Sequence, residues 1–161
     1  MTRIILALDP GRDKIGFAFT DLDGGLISSG IFQQIEHVLF FHALLHDTHS
    51  LSRWTIEGNT DALPTPLAHS LEFAAIGNGT HSQPFTDLAK NSLPCKVLTV
   101  DERNTTLEAR SLYWKLHKPG IFMRLLPEGL RVPNRVLDDL AAWAIAVRAL
   151  KKYRDIRRNK L

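Results

Sequence analysis

Residues 3–32 read RIILALDPGRDKIGFAFTDLDGGLISSGIF, and this stretch decides the fold class. The run from Arg3 to Leu8 is continuous, apolar and rich in strand-forming residues, which is typical of a strand buried on both faces. Two more strands are predicted at Ile15 to Thr20 and at Leu26 to Phe32, separated by the Asp-Gly-Gly turn at 23–25. Together the three segments predict an antiparallel meander.

The rest of the chain alternates helix and strand signals. In order, the predicted elements are a helix at Gln34 to His46, a strand at Leu71 to Ile76, a short helix around Thr86 to Asn91, a strand at Lys96 to Val100, a helix from Thr105 to about His117 and a last helix from Val136 to about Lys152, capped by Asn134. Thr48 to Ser70 carries no clear signal, although Arg53 to Glu57 is compatible with a strand. This order predicts an α/β fold.

The first predicted helix is assigned from its apolar spacing. The residues that recur at helical intervals, and so predict its buried face, are Ile35, Val38, Leu39, His42 and Leu45. His42, His46 and His49 also have the spacing of metal ligands. Because His42 falls on the apolar face and neither a cysteine nor a nearby acid cluster joins the three, zinc binding is disfavoured.

Length and composition bound the class of protein. The chain has 161 residues, of which 44% are hydrophobic and 23% charged, which fits one globular domain spanning 1–161. No apolar run approaches the roughly 20 residues of a membrane span, and the N-terminus does not resemble a secretory signal. The single cysteine, Cys95, forms no intrachain disulfide. We therefore expect a cytoplasmic protein without a membrane partner.

The C-terminus is strongly basic within a chain of net charge +3. From Arg148 to Lys160 seven Lys and Arg residues stand against one acid, Asp155. Such a run has two interpretations. It could contact nucleic acid, or it could be a solvated helix end whose positive charges complement the helix dipole.

Acidic residues lie at the ends of predicted elements in three places, where they could act as catalytic groups or metal ligands. Asp9 ends the first strand, Asp101 and Glu102 follow the strand at 96–100, and Asp138 and Asp139 open the last helix. Each place also has an ordinary structural reading, as a turn or as a helix N-terminal charge.

Asp138 differs from its neighbour in helical position. It shares a face with Ala141, Ala142 and Ile145, whereas Asp139 points further round. An inward carboxylate needs a partner or a cation, and carboxylate oxygens are the ligands that Mg²⁺ prefers.

Three motifs resemble those of one family and occur in the same order along the chain. Residues 9–18, DPGRDKIGFA, resemble the first-strand motif of RuvC/YqgF-type RNase H-like proteins, and residues 100–109, VDERNTTLEA, resemble the Asp-Glu-Arg-x-Thr-Thr-x-x-Ala element of the YqgF type. Residues 138–142, DDLAA, are similar to the family's terminal helix motif, and GNGT at 77–80 fits its glycine turn.

The resemblance implies an RNase H-like fold, a five-stranded mixed sheet in which the antiparallel meander is joined by parallel strands and flanked by helices. It implies that Asp9, Glu102 and Asp138 are catalytic ligands of two Mg²⁺ or Mn²⁺ ions, with Asp101 and Asp139 as substitutes. The implied activity is hydrolysis of structured nucleic acid, either ribosomal RNA precursor or branched DNA, and a homodimer is expected by analogy with junction resolvases.

Basic residues are expected to hold the nucleic acid. The candidates are Arg12, Lys14, Arg103, Arg124, Arg131 and Arg135. The last three lie in or just after a loop at 121–133 that also carries Phe122 and Met123, which could stack on bases or simply pack the loop. Two other function classes remain: a catalytically silent binding module and an actin-like ATPase, the latter disfavoured because its cleft needs two such domains.

Overall fold

The structure, a computed structural model, describes residues 2–158 and confirms the α/β class. The strands are β1 (Ile4–Pro10), β2 (Lys14–Thr20), β3 (Leu26–Gln33), β4 (Thr55–Gly58), β5 (Leu71–Gly77) and β6 (Lys96–Val100). The helices are α1 (His37–His46), α2 (Ser82–Ser92), α3 (Thr105–Leu116), α4 (Ile121–Arg124) and α5 (Asp138–Arg158). Lys160, the last residue of the predicted basic tail, lies outside the described residues. No helix within 2–158 is long and apolar enough to cross a membrane.

The six strands form one mixed sheet in the order β4-β3-β2-β1-β5-β6. Strands β1 to β4 pair antiparallel, while β5 runs parallel to β1 and β6 parallel to β5. The predicted meander followed by parallel strands is therefore confirmed, and it is the RNase H-like arrangement that the resemblance implies.

The expectation of five strands is wrong by one. The additional strand, β4, lies inside the segment that carried no clear signal and forms the edge of the sheet beside β3. It has only four residues and alternates between half-buried and exposed positions, so its apolar pattern is weak.

Helices cover both faces of the sheet. On one face α1 and α2 enclose an aromatic core in which Phe32 and Phe40 stack at 4.1 Å and Phe17 lies 5.1 Å from Phe40 between ring centroids. On the other face α3 and α5 pack on the sheet through small residues such as Ala142 and Ala146. Small side chains bring the backbone of α5 close to the strands beneath it.

The predicted buried face of α1 is wrong. Ile35, just before α1, is 89% exposed, and Val38 and Leu39 are also exposed. The helix instead buries the following set: Phe40, Phe41, Ala43 and Leu44. Because α1 is apolar nearly all round, its spacing alone does not select the face that meets the sheet.

The last helix begins two residues later than predicted and ends later, at Arg158. Asn134, its predicted cap, instead accepts a hydrogen bond from the hydroxyl of Tyr113 at 3.0 Å. The short helix at 86–91 likewise extends to Ser82–Ser92.

Gly16 sets how closely α5 approaches the sheet. This glycine lies opposite Asp9 in the β1–β2 ladder, and a Cβ at its position would overlap the backbone carbonyl of Asp138. The missing side chain therefore lets the first turn of α5 rest on β2 beside the end of β1.

We predict that Gly16→Ala destabilises the protein by roughly 1–3 kcal/mol, because the added methyl must push α5 away from a packed sheet. Urea unfolding measures this change. Gly120→Ala is the control, since a Cβ there meets nothing within 4 Å. The control should stay within about 0.5 kcal/mol of the wild type. Equal stability of the two variants would contradict the tight seating of α5.

Candidate metal centre

Asp9 is held by the last part of β1, where the chain turns back through Pro10 and Gly11. The turn is closed by a 3.0 Å hydrogen bond from the Gly11 amide to the Lys14 carbonyl. The pKa of Asp9 is raised to about 7, first by burial, then by the charges of Glu102 and Asp138, and last by a side-chain hydrogen bond with Glu102. The three predicted carboxylates therefore act on one another.

Glu102 reaches this point from the end of β6. Its amide donates to the Asn78 side chain at 3.2 Å, and its carboxylate lies against Gly77 and Gly79. A Cβ on Gly77 would stand 2.5 Å from Glu102 Oε2, and one on Gly79 would overlap the same carboxylate. The glycine turn at 77–79 thus makes room for the glutamate.

Asp138 enters from the first turn of α5. Lys14 Nζ lies 3.3 Å from Asp138 Oδ2, an ion pair without hydrogen-bond geometry. Within the described chain, Glu102 Oε2 and Asp138 Oδ2 are buried carboxylate oxygens with no hydrogen-bond partner. Buried, unpartnered carboxylate oxygens are costly and favour a cation.

The three side chains supply a donor set suited to Mg²⁺ or Mn²⁺. All are oxygen ligands, and their mutual repulsion would be relieved by a divalent ion. Residues 2–158 contain no group of three or more His, Cys, Asp and Glu side chains placed closely enough to hold an ion as they stand. The fit therefore rests on the chemistry of the donors, their unpartnered oxygens and their electrostatic coupling.

The two substitute ligands have other partners. Asp101 is exposed and accepts hydrogen bonds from the Arg103 side chain at 2.7 and 2.8 Å, and these bonds hold the pKa of Asp101 below its ordinary value. Asp139 is fully buried and pairs with Arg135, whose Nη1 donates to it at 2.7 Å.

The predicted difference between Asp138 and Asp139 is wrong in one respect. Asp139, expected to point further round, is fully buried, whereas the Asp138 side chain is 33% exposed. Residues 139–146 of α5 are buried all round, between the sheet and α3, so this helix has no single inner face.

The basic residues expected to contact nucleic acid differ in whether their side chains already have partners within the protein. Arg12 is exposed beside the turn after β1. Arg124 donates to the Pro119 carbonyl at 3.0 Å, and Arg131 donates to the carbonyls of Leu126 and Arg124 at 3.0 and 3.2 Å. These two guanidinium groups hold the loop's own backbone.

Arg135 lies in an internal ion network rather than on an open surface. It donates to Glu57 at 2.8 Å as well as to Asp139. Its guanidinium is thus engaged within the molecule, and its expected contact with nucleic acid stays a prediction.

The loop at 121–133 leaves its apolar side chains in solvent. Ile121, Phe122 and Leu125 are between 79% and 86% exposed, so packing of the loop onto the domain does not account for them. Met123 is half-buried.

Three residues beside the site escaped sequence reasoning, and Arg148 was considered only as part of the basic C-terminal run. Glu57, His117 and Ser29 join the Arg135 contacts from three other elements, and Arg148 donates to the Asp101 carbonyl at 2.7 Å. All are distant in sequence, so no local pattern could pair them.

The histidines form no ligand group with one another. The rings of His42 and His46 are 4.9 Å apart on the exposed side of α1, and His49 pairs with Asp61 at 3.3 Å.

Comparison with known proteins finds similarity among solved structures only. No family model matches the chain, and no curated protein matches it. Among solved structures, it is similar to T. thermophilus RuvC in complex with Holliday junction substrate, at 15% identity and a TM-score of 0.46, over 94% of this chain and 96% of that one. A similarity of this degree assigns no activity, and the fold described above stands on strand order and direction.

We predict that metal-free protein loses stability as the pH rises from about 4 to 7. In this window folded Asp9, with a pKa of about 7, keeps a proton that the unfolded chain, with a pKa of 3.8, has released. Between pH 5 and 8 the wild type should lose on the order of 2 kcal/mol more than Asp9→Asn in urea unfolding with EDTA. Asp101→Asn is the control and should follow the wild type. Parallel pH profiles for wild type and Asp9→Asn would contradict the coupling.

Proposed function

We propose that the chain is a Mg²⁺- or Mn²⁺-dependent nuclease that hydrolyses phosphodiester bonds of structured nucleic acid, with two metal ions held by Asp9, Glu102 and Asp138. The observation that carries the proposal is the packing of the Glu102 carboxylate against Gly77 and Gly79 and of Asp138 against Gly16, opposite Asp9. The raised pKa of Asp9, caused by burial and by the charges of the other two carboxylates, supports it. Three acids from β1, the end of β6 and the start of α5 thus act on one another at one edge of the sheet.

The electrostatics favour a catalytic reading over a structural one. Like charges gathered in a partly buried site reduce stability, and Lys14 forms a salt bridge with only one of them. A cluster used only for packing would gain from replacing these acids by neutral residues. The loss of stability that these acids cause is consistent with a site that binds cations.

Each residue has a defined part in the proposed mechanism. Asp9, held by the central strand, would hold the ions together with Glu102 and Asp138. Bound ions would supply Lewis acidity and a water of lowered pKa. Lys14, beside Asp138, and exposed Arg12 would bind and orient the phosphate backbone.

The wider nucleic-acid surface would include Arg103, Arg124 and Arg131. Arg103 pairs with Asp101, and the other two hold the loop at 121–133. In this proposal the loop presents Phe122, 86% exposed, for stacking on unpaired bases.

The substrate is ribosomal RNA precursor or branched DNA, and a homodimer would place two sites on symmetric strands. A catalytically silent module that binds nucleic acid or protein is the second candidate. The exposed apolar side chains of the loop at 121–133 favour such binding independently of the carboxylates.

The assay incubates pure protein with duplex RNA, single-stranded RNA and four-way DNA junctions in Mg²⁺ or Mn²⁺. We predict that Asp9→Asn and Glu102→Gln lower the cleavage rate roughly 100-fold or more, because losing a metal ligand costs several kcal/mol in the transition state. Asp101→Asn is the matched control, since it removes an exposed neighbouring carboxylate paired with Arg103. It should retain activity.

Absence of cleavage of every substrate by the wild type, with nucleic-acid binding retained, would favour the silent module. Undiminished cleavage by Asp9→Asn would exclude this site.

Salt dependence tests which basic surface meets the phosphates. Arg12→Ala should reduce the magnitude of the log–log salt slope of binding by about 0.7 to 0.9, because one phosphate contact is lost. Arg154→Ala should leave the slope unchanged, since Arg154 lies 16 residues along α5 from Asp138, about 24 Å at 1.5 Å per residue. Affinities at several salt concentrations give both slopes. The reverse result would move the binding surface to the C-terminal end of α5.

A further inference from the structure

A second charged cluster lies beside the metal centre without belonging to it. We call it the Arg135 network, and its members are Ser29, Glu57, His117, Arg135 and Asp139. Its centre is Asp139, which is fully buried and accepts hydrogen bonds from Ser29 Oγ at 2.8 Å and from the two Arg135 Nη atoms at 2.7 and 3.2 Å. This fork satisfies both oxygens of the carboxylate.

Arg135 extends the network to two further elements. Its Nη2 donates to Glu57 Oε1 of β4 at 2.8 Å, and the same oxygen lies 2.6 Å from His117 Nε2, just after α3. Burial would raise the pKa of Glu57, but the hydrogen bonds from His117 and Arg135 outweigh it and hold that pKa below its ordinary value. The network therefore ties the start of α5 to β3, β4 and the end of α3.

The network adjoins the metal centre through the chain itself. Asp138 and Asp139 are consecutive, and consecutive side chains of an α-helix point about 100° apart. One carboxylate therefore faces Asp9 and the other faces Arg135. Fixing Asp139 sets the rotation of the first turn of α5, and with it the direction of Asp138.

Such a fixed point matters because Asp138 lies between opposing charges, with Lys14 Nζ 3.3 Å from its Oδ2 and the acids Asp9 and Glu102 nearby. Its charge and that of Glu102 both act on Asp9.

The backbone contact with Gly16 limits how closely α5 approaches the sheet. The hydrogen bond from Ser29 Oγ of β3 to Asp139, and that from Arg135 to Glu57 of β4, oppose a turn of the helix about its axis.

We propose that Arg135 and Asp139 are positioning residues that hold Asp138 in the orientation needed for metal binding. The inference rests on the proposed function and deepens it. Arg135 is suited to this role because a bidentate guanidinium fixes direction, which a lysine ammonium does not.

The test is calorimetric titration of Mn²⁺ into the full chain without nucleic acid. Because Arg135→Gln alone would leave Asp139 buried and unpaired, the main variant is the neutral pair Arg135→Gln/Asp139→Asn. Glu57→Gln is the milder variant, since it leaves the fork intact. Arg154→Gln is the matched control, since it removes an arginine of α5 that pairs with Asp23 outside the network.

We expect the Mn²⁺ dissociation constant of the double variant to rise about 10- to 100-fold with an unchanged number of sites. Glu57→Gln should show a smaller rise, and Arg154→Gln should match the wild type.

A wild-type dissociation constant in the folded double variant would overturn the proposal. A fall in the number of sites without a change in the constant would also overturn it, because it reports only loss of folded protein. If the double variant does not fold, Glu57→Gln decides, and a wild-type constant there rejects the positioning role. Absence of Mn²⁺ binding by the wild type would instead remove the proposed function and this inference together.

Discussion

The contact between the first turn of α5 and β2 fixes how Asp138 lies relative to Asp9 at the end of β1. In the β1–β2 ladder Gly16 stands opposite Asp9, and the carbonyl of Asp138 occupies the space that a side chain on Gly16 would fill. One position without a side chain thus brings a strand-end carboxylate and a helix carboxylate to the same place. Gly77 and Gly79 make the equivalent room for Glu102.

The closeness of the three acids lowers the stability of the fold, and in the proposed function it is also what would bind metal. Burial, and then the charges of Glu102 and Asp138, raise the pKa of Asp9 and cost folding free energy, while in the proposed function the same closeness of the acids would provide affinity for a divalent cation. Other contacts of the surrounding chain offset this loss of folding free energy. Lys14 lies beside Asp138, and the Arg135 network anchors the helix that carries it. In the proposed function, the repulsion between the acids favours metal binding, and the bonds around the site keep the acids in place.

The sequence was sufficient for the features that depend on local pattern. The meander, the parallel strands and the three carboxylates at element ends follow from apolar runs, turn residues and family-like motifs. It failed where helices are apolar all round, as for the buried face of α1 and for which of Asp138 and Asp139 is more deeply buried, because helical spacing selects a face only when the other faces are polar. The pairing of Arg135 with Glu57, 78 residues away, depends on the folded chain alone.

The central claim is that Asp9, Glu102 and Asp138 share bound metal. Anomalous diffraction from crystals grown with Mn²⁺ tests it most directly, because the peaks locate the ions independently of activity. The account predicts anomalous peaks within about 2.0 to 2.6 Å of oxygens from all three carboxylates, the range for oxygen ligands of such cations. Peaks confined to other acids, such as Asp101, or no peak beside Asp9 in crystals saturated with Mn²⁺, would contradict it.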